Sequence, residues 1–313
     1  MNEPYVPTPD DVARVKGLGF LRDKTTPDCF NARVLTVNGR VSAQTLEAVA
    51  EASRRFGSGK VALTSRMTFE IQTIPYQNIE PLRAFLAQYG LETGGTGPKV
   101  RPIVSCKGTT CTFGLIDTFS LSEKIHERFY KGYHDVRLPH KFKIGVGGCP
   151  NNCVKPDLND VGVIGQLVPV IDLDKCRGCK TCAVEKNCPM HAVRVESGKA
   201  LLDESVCNSC GRCKGKCPFG AFGEYVGGYR IYVGGRWGKK CARGTALSHL
   251  FLSEDEVLDA VEKTILFFRS YGIAGERLAD TVARIGMDEV ERLILSDELT
   301  ARKDEILAAP LNA

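Results

Sequence analysis

Twelve cysteines in three tight groups constrain this chain of 313 residues more than any other feature of its sequence. They are Cys106, Cys111, Cys149 and Cys153; then Cys176, Cys179, Cys182 and Cys188; then Cys207, Cys210, Cys213 and Cys217. Cys29 and Cys241 stand apart and read as ordinary packed thiols. Random scattering does not produce such groups, and thiols at this density in a reducing compartment read as metal ligands rather than disulfides. The N-terminal MNEPYVPTPDD is polar and acidic, without the basic and apolar regions of a signal peptide. The longest apolar runs, such as residues 167–170, are far too short to span a bilayer. A cytoplasmic chain without a membrane span is therefore expected.

Around the cysteines the texture is that of a soluble α+β protein, 43% apolar and 25% charged. Residues 28–75 read as a β-α-β unit, with a helix from about Ser42 to Phe56 capped by the Ser42 hydroxyl. A strand-like KVALTSRMTFEIQTI follows, then a helix from Glu80 that Gly90 ends. GGTGPKV reads as a linker. The next block carries a helix near 117–131 and a strand-like KFKIGVGG, and 166–222 is short-featured and cysteine-rich. GGYRIYVGG resumes a strand, and Val257, Val261, Ile265 and Phe268 mark one face of a helix over 254–272. The expected domains are 1–90, a larger domain split between 98–165 and 223–313, and an insert over 166–222.

Within the insert the spacing is C-x2-C-x2-C-x5-C-P, then C-x2-C-x2-C-x3-C-P. Three thiolates on a tight loop grip three irons of a cube, and a distant fourth cysteine closes it. In two-cluster ferredoxins that fourth ligand belongs to the other cluster. The assignment is Cys176, Cys179, Cys182 and Cys217 on one [4Fe-4S] cluster, and Cys207, Cys210, Cys213 and Cys188 on the other. Structural zinc also uses C-x2-C pairs but has no need of a triplet followed by Cys-Pro, twice. Five residues rather than three separate Cys182 from Cys188, which lengthens one loop and removes no ligand.

Cys106-x4-Cys111 and Cys149-x3-Cys153 form a different pattern, two pairs with 37 residues between them. Spacing alone leaves zinc and a third iron–sulfur cube open. The surrounding SCKGTTC and GVGGCPNNC resemble the signature of the sirohaem-dependent sulfite and nitrite reductases, and the likeness extends over nearly the whole chain. FNARV and LTSRMTF look like the basic strands of that family's ferredoxin-like half-domain. KVRPIVSC and LPHKFK precede its two cysteine pairs, and GGYRIYVGGRWGKK resembles the strand and turn that close its cofactor domain. A ferredoxin insert in this place resembles the dissimilatory and anaerobic types. The resemblance implies an α+β fold: a ferredoxin-like half-domain, a sirohaem/[4Fe-4S] domain, and a two-cluster ferredoxin insert. It also implies three [4Fe-4S] clusters and sirohaem, with Cys153 bridging the third cube to the haem iron.

The same resemblance gives roles to cations. Arg33, Arg101, Lys141 and Lys143 match positions that bind the substrate anion, and Arg66 matches one that grips sirohaem carboxylates. Lys141 and Lys143, two apart on an extended segment, project from one face. Arg236, Lys239 and Lys240 suit either haem carboxylates or a charged turn, and Asn151 and Asn152 read as scaffold. Two departures stand out: four residues, not the commoner five, inside the first cysteine pair, and Glu70 where glutamine is common.

The net charge of +5 comes without a basic tract or aromatic-basic stripe, so nucleic acid is not an expected partner. The implied reaction is the six-electron reduction of sulfite to sulfide. The alternatives are nitrite reduction to ammonia, or an electron-transfer protein with three clusters, no haem and no catalysis. No G-x-G-x-x-G opens a helix after a strand, so electrons are expected from partners, an NADH-oxidising flavoprotein and an iron–sulfur protein. The family's assimilatory members fuse two copies of the module. This chain has one, which predicts a dimer, either a homodimer or a pairing with a related subunit.

Overall fold

A computed structural model describes residues 5–313. The chain runs α1 (Pro9–Gly17), β1 (Phe20–Arg22), β2 (Cys29–Val34), α2 (Ala43–Phe56), β3 (Val61–Leu63), β4 (Phe69–Pro75), α3 (Ile79–Ala87), β5 (Val104–Ser105) and α4 (Thr118–Ile125). It continues through β6 (Ile144–Gly147), β7 (Val161–Val170), α5 (Ala183–Asn187), β8 (Val193–Glu196), β9 (Lys199–Leu202), β10 (Glu224–Val233), β11 (Thr245–Ala246) and α6 (Glu254–Tyr271). Four short helices close the chain: α7 (Leu278–Ile285), α8 (Met287–Leu295), α9 (Glu298–Ala301) and α10 (Lys303–Ala308). Among the described residues no helix is long and apolar enough to cross a membrane.

The chain forms two compact units. One comprises residues 1–105, 122–144 and 262–313; the other comprises 106–121 and 145–261. In the first, an antiparallel sheet of order β1-β2-β4-β3 carries α2 and α3. Ser42 caps α2 by accepting the Thr45 N–H at 3.1 Å. α3 ends where Gly90 turns left-handed at φ +67° and Leu91 N–H reaches back to the Leu86 carbonyl. Phe30, Ala32 and Val34 alternate into the core with Ile71, Ile74, Leu82 and Leu86. KVALTSRMTFEIQTI is not one strand. Thr64 N–H bonds the Thr68 carbonyl, and left-handed Met67 helps fold the run back into the β3–β4 hairpin.

α4 passes directly into a π-helical turn, His126–Lys131. Within the same unit, Glu262 of α6 is buried and accepts hydrogen bonds from Arg128, from Tyr133 at 2.6 Å and from Lys303 at 2.7 Å. Burial pushes the Glu262 carboxyl up, but the Lys303, Tyr133 and Arg128 donors outweigh it and hold the group below its ordinary value.

The second unit is built on a ten-residue antiparallel ladder. β7 and β10 pair without a slip from Val161↔Val233 to Val170↔Glu224, with β6 and β11 on their outer sides. The cysteine-rich segment leaves this ladder after Val170 and rejoins it at Glu224. Its own regular structure is the short α5 and the β8–β9 hairpin, with a small core of Val184, Val193, Ala200, Ala221 and Phe222.

Candidate functional site

In the second unit Cys106 and Cys111 flank a 3-10 turn, Gly108–Thr110, and Cys149 and Cys153 follow β6. Their loops meet backbone to backbone. A Cβ on Gly148 would lie 2.7 Å from the Gly108 Cα, and one on Gly108 would lie 2.6 Å from the Thr118 methyl. Only glycine permits that approach. Gly148 N–H donates to the Cys106 Sγ at 3.1 Å, and Thr118 Oγ1 donates to the Cys106 carbonyl at 2.8 Å. Burial pushes the Cys149 thiol up, against the Asn151 N–H, and Cys106, Cys153 and Cys111 all add to the rise. The four sulfurs therefore share one neighbourhood. Cys153 is the exposed member. Left-handed Asn152 donates to Asp157 at 2.8 Å, and Arg243 pairs with the same carboxylate, which makes Asn152 part of the loop's scaffold.

The cysteine-rich segment gathers its thiols into two places. Cys188, Cys207, Cys210 and Cys213 line one apolar pocket with Pro169 and Met190. These are the four residues assigned to one cluster from spacing. Cys176, Cys182 and Cys217 pack on the small core of the segment, where Cys213 also reaches. Cys179 is half-buried on the same loop as Cys176. Burial pushes the Cys217 thiol up, but N–H groups of Phe219, Ala221, Phe222 and Gly220 converge on it and hold it below its ordinary value. Ala200 N–H reaches the Cys176 Sγ at 3.3 Å. Backbone donors aimed at sulfur suit thiolate ligands of a cluster. Among the described residues no three His, Cys, Asp or Glu side chains close to the distance a single metal ion needs.

The predicted anion-binding cations all lie in the first unit. Arg33 on β2 stands opposite Glu70 on β4 in register, with the Arg33 Nε 3.7 Å from the carboxylate, buried and without a hydrogen bond. Its carbonyl accepts Gly94 N–H at 3.0 Å. Arg101 donates to the Gly95 carbonyl, and its own N–H bonds the Phe142 carbonyl at 2.8 Å. Phe142 is buried, with Lys141 and Lys143 half-exposed on either side of it. They lie on an extended segment that bridges to Val100 just before β6. Arg66 donates to the Pro102 carbonyl at 3.0 Å and to the Ile144 carbonyl at 3.2 Å. Hydrogen bonds through residues 94–102 and 142–144 thus link the Arg33 backbone with the Arg101 and Arg66 side chains, and Lys141 and Lys143 flank Phe142 on that segment.

The glycine-rich segment is part of this site rather than a linker. Gly94, Gly95 and Thr96 are buried, and a Cβ on Gly95 would strike the Pro102 ring at 2.7 Å. The Gly95 N–H donates to the Tyr130 hydroxyl at 3.0 Å. Burial pushes that phenol up to about 12, and Tyr130 stacks on buried His126 with ring centroids 4.9 Å apart. Sequence reasoning missed Tyr130. The available signal was a glycine pair too small for its buried position, which implies a large neighbour. Cys29 is half-buried, while Cys241 is exposed in the turn bridged by Arg236 and Ala242 that also holds Lys239, Lys240 and Trp237.

Three thiol sets on an α+β scaffold are the pattern of an iron–sulfur redox protein. Residues 96–303 match the family described as nitrite and sulphite reductase 4Fe-4S domain, and residues 22–89 the nitrite/sulfite reductase ferredoxin-like half domain. The chain belongs to the nitrite and sulfite reductase family of oxidoreductases. It is 30% identical over 244 residues to the coenzyme F420-dependent sulfite reductase of Methanocaldococcus jannaschii, covering 76% of this chain and 38% of that protein. It is 29% identical to a subunit of the anaerobic sulfite reductase of Salmonella typhimurium, covering 71% of this chain and 69% of the relative. The fold is that of dissimilatory sulfite reductase I (TM-score 0.67, 21% identity, 91% of this chain and 72% of that one). It also matches the NirA protein of Mycobacterium tuberculosis (TM-score 0.64, 19% identity, 98% of this chain and 48% of that one).

Proposed function

We propose that this chain is a sirohaem-dependent sulfite reductase subunit that reduces sulfite to sulfide with six electrons. The observation that carries the reading is the hydrogen-bonded path through Arg33, Arg101 and Arg66, with Lys141 and Lys143 flanking Phe142 beside it, since an electron carrier has no use for cations gathered in this way. The residues fit the groups the family implies. Four thiols that share one neighbourhood suit a cube, and the pocket at Cys188, Cys207, Cys210 and Cys213 suits a second. The buried Arg33 Nε without a hydrogen bond suits an anion. Cys106, Cys111, Cys149 and Cys153 would hold a cube, and sirohaem, when bound beside it, would supply the six-electron chemistry.

The chain's own residues then bind and orient. Arg33 and Arg101 offer planar forks to the oxygens of sulfite, and Lys141 and Lys143 add compact charges that also deliver protons as oxygen leaves as water. Arg66 holds haem carboxylates from a guanidinium already braced by two carbonyls. Residues 166–222 act as a two-cluster ferredoxin domain inserted in a larger domain formed by 98–165 and 223–313, after the half-domain at 1–90. Cys176, Cys179, Cys182 and Cys217 hold one cluster, and Cys207, Cys210, Cys213 and Cys188 the other. Electrons come from a flavoprotein and an iron–sulfur partner, and the single module works as a dimer. The names of the relatives favour sulfite over nitrite.

An absorption spectrum of anaerobically purified protein tests this, with iron counted before and after sulfite is added. Sirohaem bands that shift with sulfite, and about twelve cluster irons plus one in haem, are expected. Cluster absorption without sirohaem, from cells able to make it, overturns the reading in favour of an electron carrier.

A further inference from the structure

His140 stands directly before the first of the two lysines, and its ring is turned onto the chain. The Lys141 N–H donates to the His140 Nδ1 at 2.7 Å. With Nδ1 accepting, the neutral imidazole carries its hydrogen on Nε2. Both residues are half-buried. An amide in such a place is costly to leave without an acceptor, and the ring supplies one.

The rest of the segment is fixed by its neighbours in the same unit. Leu138 N–H bonds the Pro98 carbonyl at 2.8 Å, and Phe142 N–H bonds the Lys99 carbonyl at 3.0 Å. The Pro139 carbonyl accepts Gly275 N–H at 2.9 Å, and a Cβ on Gly272 would strike the Pro139 ring at 2.7 Å. The Phe142 ring packs on Phe268 of α6, with centroids 6.0 Å apart. Along an extended segment successive N–H groups point to opposite edges. The Lys141 amide therefore turns away from the 98–101 stretch that takes Phe142, and His140 meets it with its own side chain.

We infer that His140 is the positioning residue for Lys141. Its Nδ1 holds the peptide from which the lysine side chain leaves, and so sets where the ammonium can stand. Lysine carries its charge on a flexible four-carbon stem, and a fixed root is what narrows the reach of such a stem. A loosened peptide spreads the ammonium over more positions and weakens its hold on a small anion. His140 does this as an acceptor at one atom, not as a charge and not as an aromatic ring. Lys141 acts on sulfite as proposed above, so the inference rests on that reading and deepens it.

The test separates the acceptor atom from the ring. An asparagine presents an oxygen at the position of Nδ1, a glutamine one bond further out at the position of Nε2, and an alanine neither. Amide hydrogen exchange, resolved to Lys141 by fragmentation mass spectrometry, reads the bond without any need of turnover. Sulfite kinetics on holoprotein samples of equal iron content read its consequence. His140→Asn should keep both the Lys141 exchange rate and KM within about 2-fold of the unaltered chain. His140→Gln and His140→Ala should speed that exchange and raise KM by about 5-fold or more each, with kcat less affected. In a Lys141→Ala background, His140→Gln should leave KM where Lys141→Ala alone puts it. Three results each overturn the inference: His140→Gln matching the unaltered chain, His140→Asn failing together with His140→Gln, or His140→Gln keeping its full effect when Lys141 is absent. An unaltered chain that turns over no sulfite fails the proposed function itself and takes the inference with it, whereas every other failure shows only in the variants.

Discussion

Replacing Gly148 by alanine tests whether glycines set the distance between the two cysteine loops of the second unit. The new Cβ would lie 2.7 Å from the Gly108 Cα, 3.3 Å from the Thr118 Cγ2 and 3.5 Å from the Cys106 Sγ. Carbon atoms in contact prefer about 3.5–4.0 Å, so the loops must part by about 1 Å. Overpacking of this kind costs about 1–3 kcal/mol. The same movement stretches the Gly148 N–H bond to the Cys106 sulfur, worth about 1.5–3 kcal/mol when the acceptor is charged. The expected loss is therefore about 2.5–6 kcal/mol, with iron missing from this site. Gly227→Ala is the internal control, because a Cβ there meets nothing within 4 Å and its φ needs no glycine. It should be neutral or stabilise by up to about 1 kcal/mol. Urea unfolding of the anaerobic holoprotein, with iron per chain measured on the same sample, reads both. Equal midpoints and equal iron in the two variants would refute the reasoning.

Four further outcomes are expected. Cys210→Ser should lower cluster iron from about twelve to about eight per chain while the other two sets stay loaded; no loss of iron would remove Cys210 from the ligands. Lys141→Ala and Lys143→Ala should each cut kcat/KM for sulfite by about 10-fold or more, with the visible spectrum unchanged. Wild-type turnover in both would leave the cationic path without a role in the reaction. Tyr130→Phe leaves the Gly95 N–H without its acceptor, costs about 1–3 kcal/mol, and should raise KM for sulfite more than it lowers kcat. The Glu262 carboxyl sits below its ordinary value when folded, so its contribution is full above that value and is lost as pH falls through the folded one. Urea midpoints taken downward from pH 6 should therefore fall less steeply in Glu262→Gln than in the unaltered chain.

The parts of the fold that repeat a local rule were legible in the sequence. Ser42 announced the start of α2, Gly90 the end of α3, and Val257, Val261, Ile265 and Phe268 the buried face of α6, all fully buried or nearly so. That distant Cys188 lies beside the cysteines of 207–213 agrees with the spacing rule of two-cluster ferredoxins, since the four line one pocket. What stayed hidden depends on contacts between residues far apart in sequence. The β3–β4 turn has no glycine or proline to announce it, only Met67 in a left-handed conformation that its neighbours impose. Gly94 and Gly95 look like a linker until Tyr130, Arg101 and Arg33 close on them. A glycine's value there lies in an absent side chain, and composition cannot distinguish that from slackness.

The ten-pair ladder has a consequence for how such a chain is assembled and altered. Val170 and Glu224 face each other across one strand spacing, about 5 Å, so everything in residues 171–223 departs from and returns to nearly the same point. The sheet's register is set by β7 and β10 alone and takes no notice of the length of what they enclose. Lengthening such a loop is cheap for the host, with each doubling adding about 0.6 kcal/mol of closure entropy. The segment is in this sense a cassette with one anchor beyond its stem: the Leu167 N–H of β7 bonds the Ser209 carbonyl and Gly211 lies against the Leu167 side chain, so a two-residue hairpin turn in its place keeps the register but leaves Leu167 to be satisfied anew.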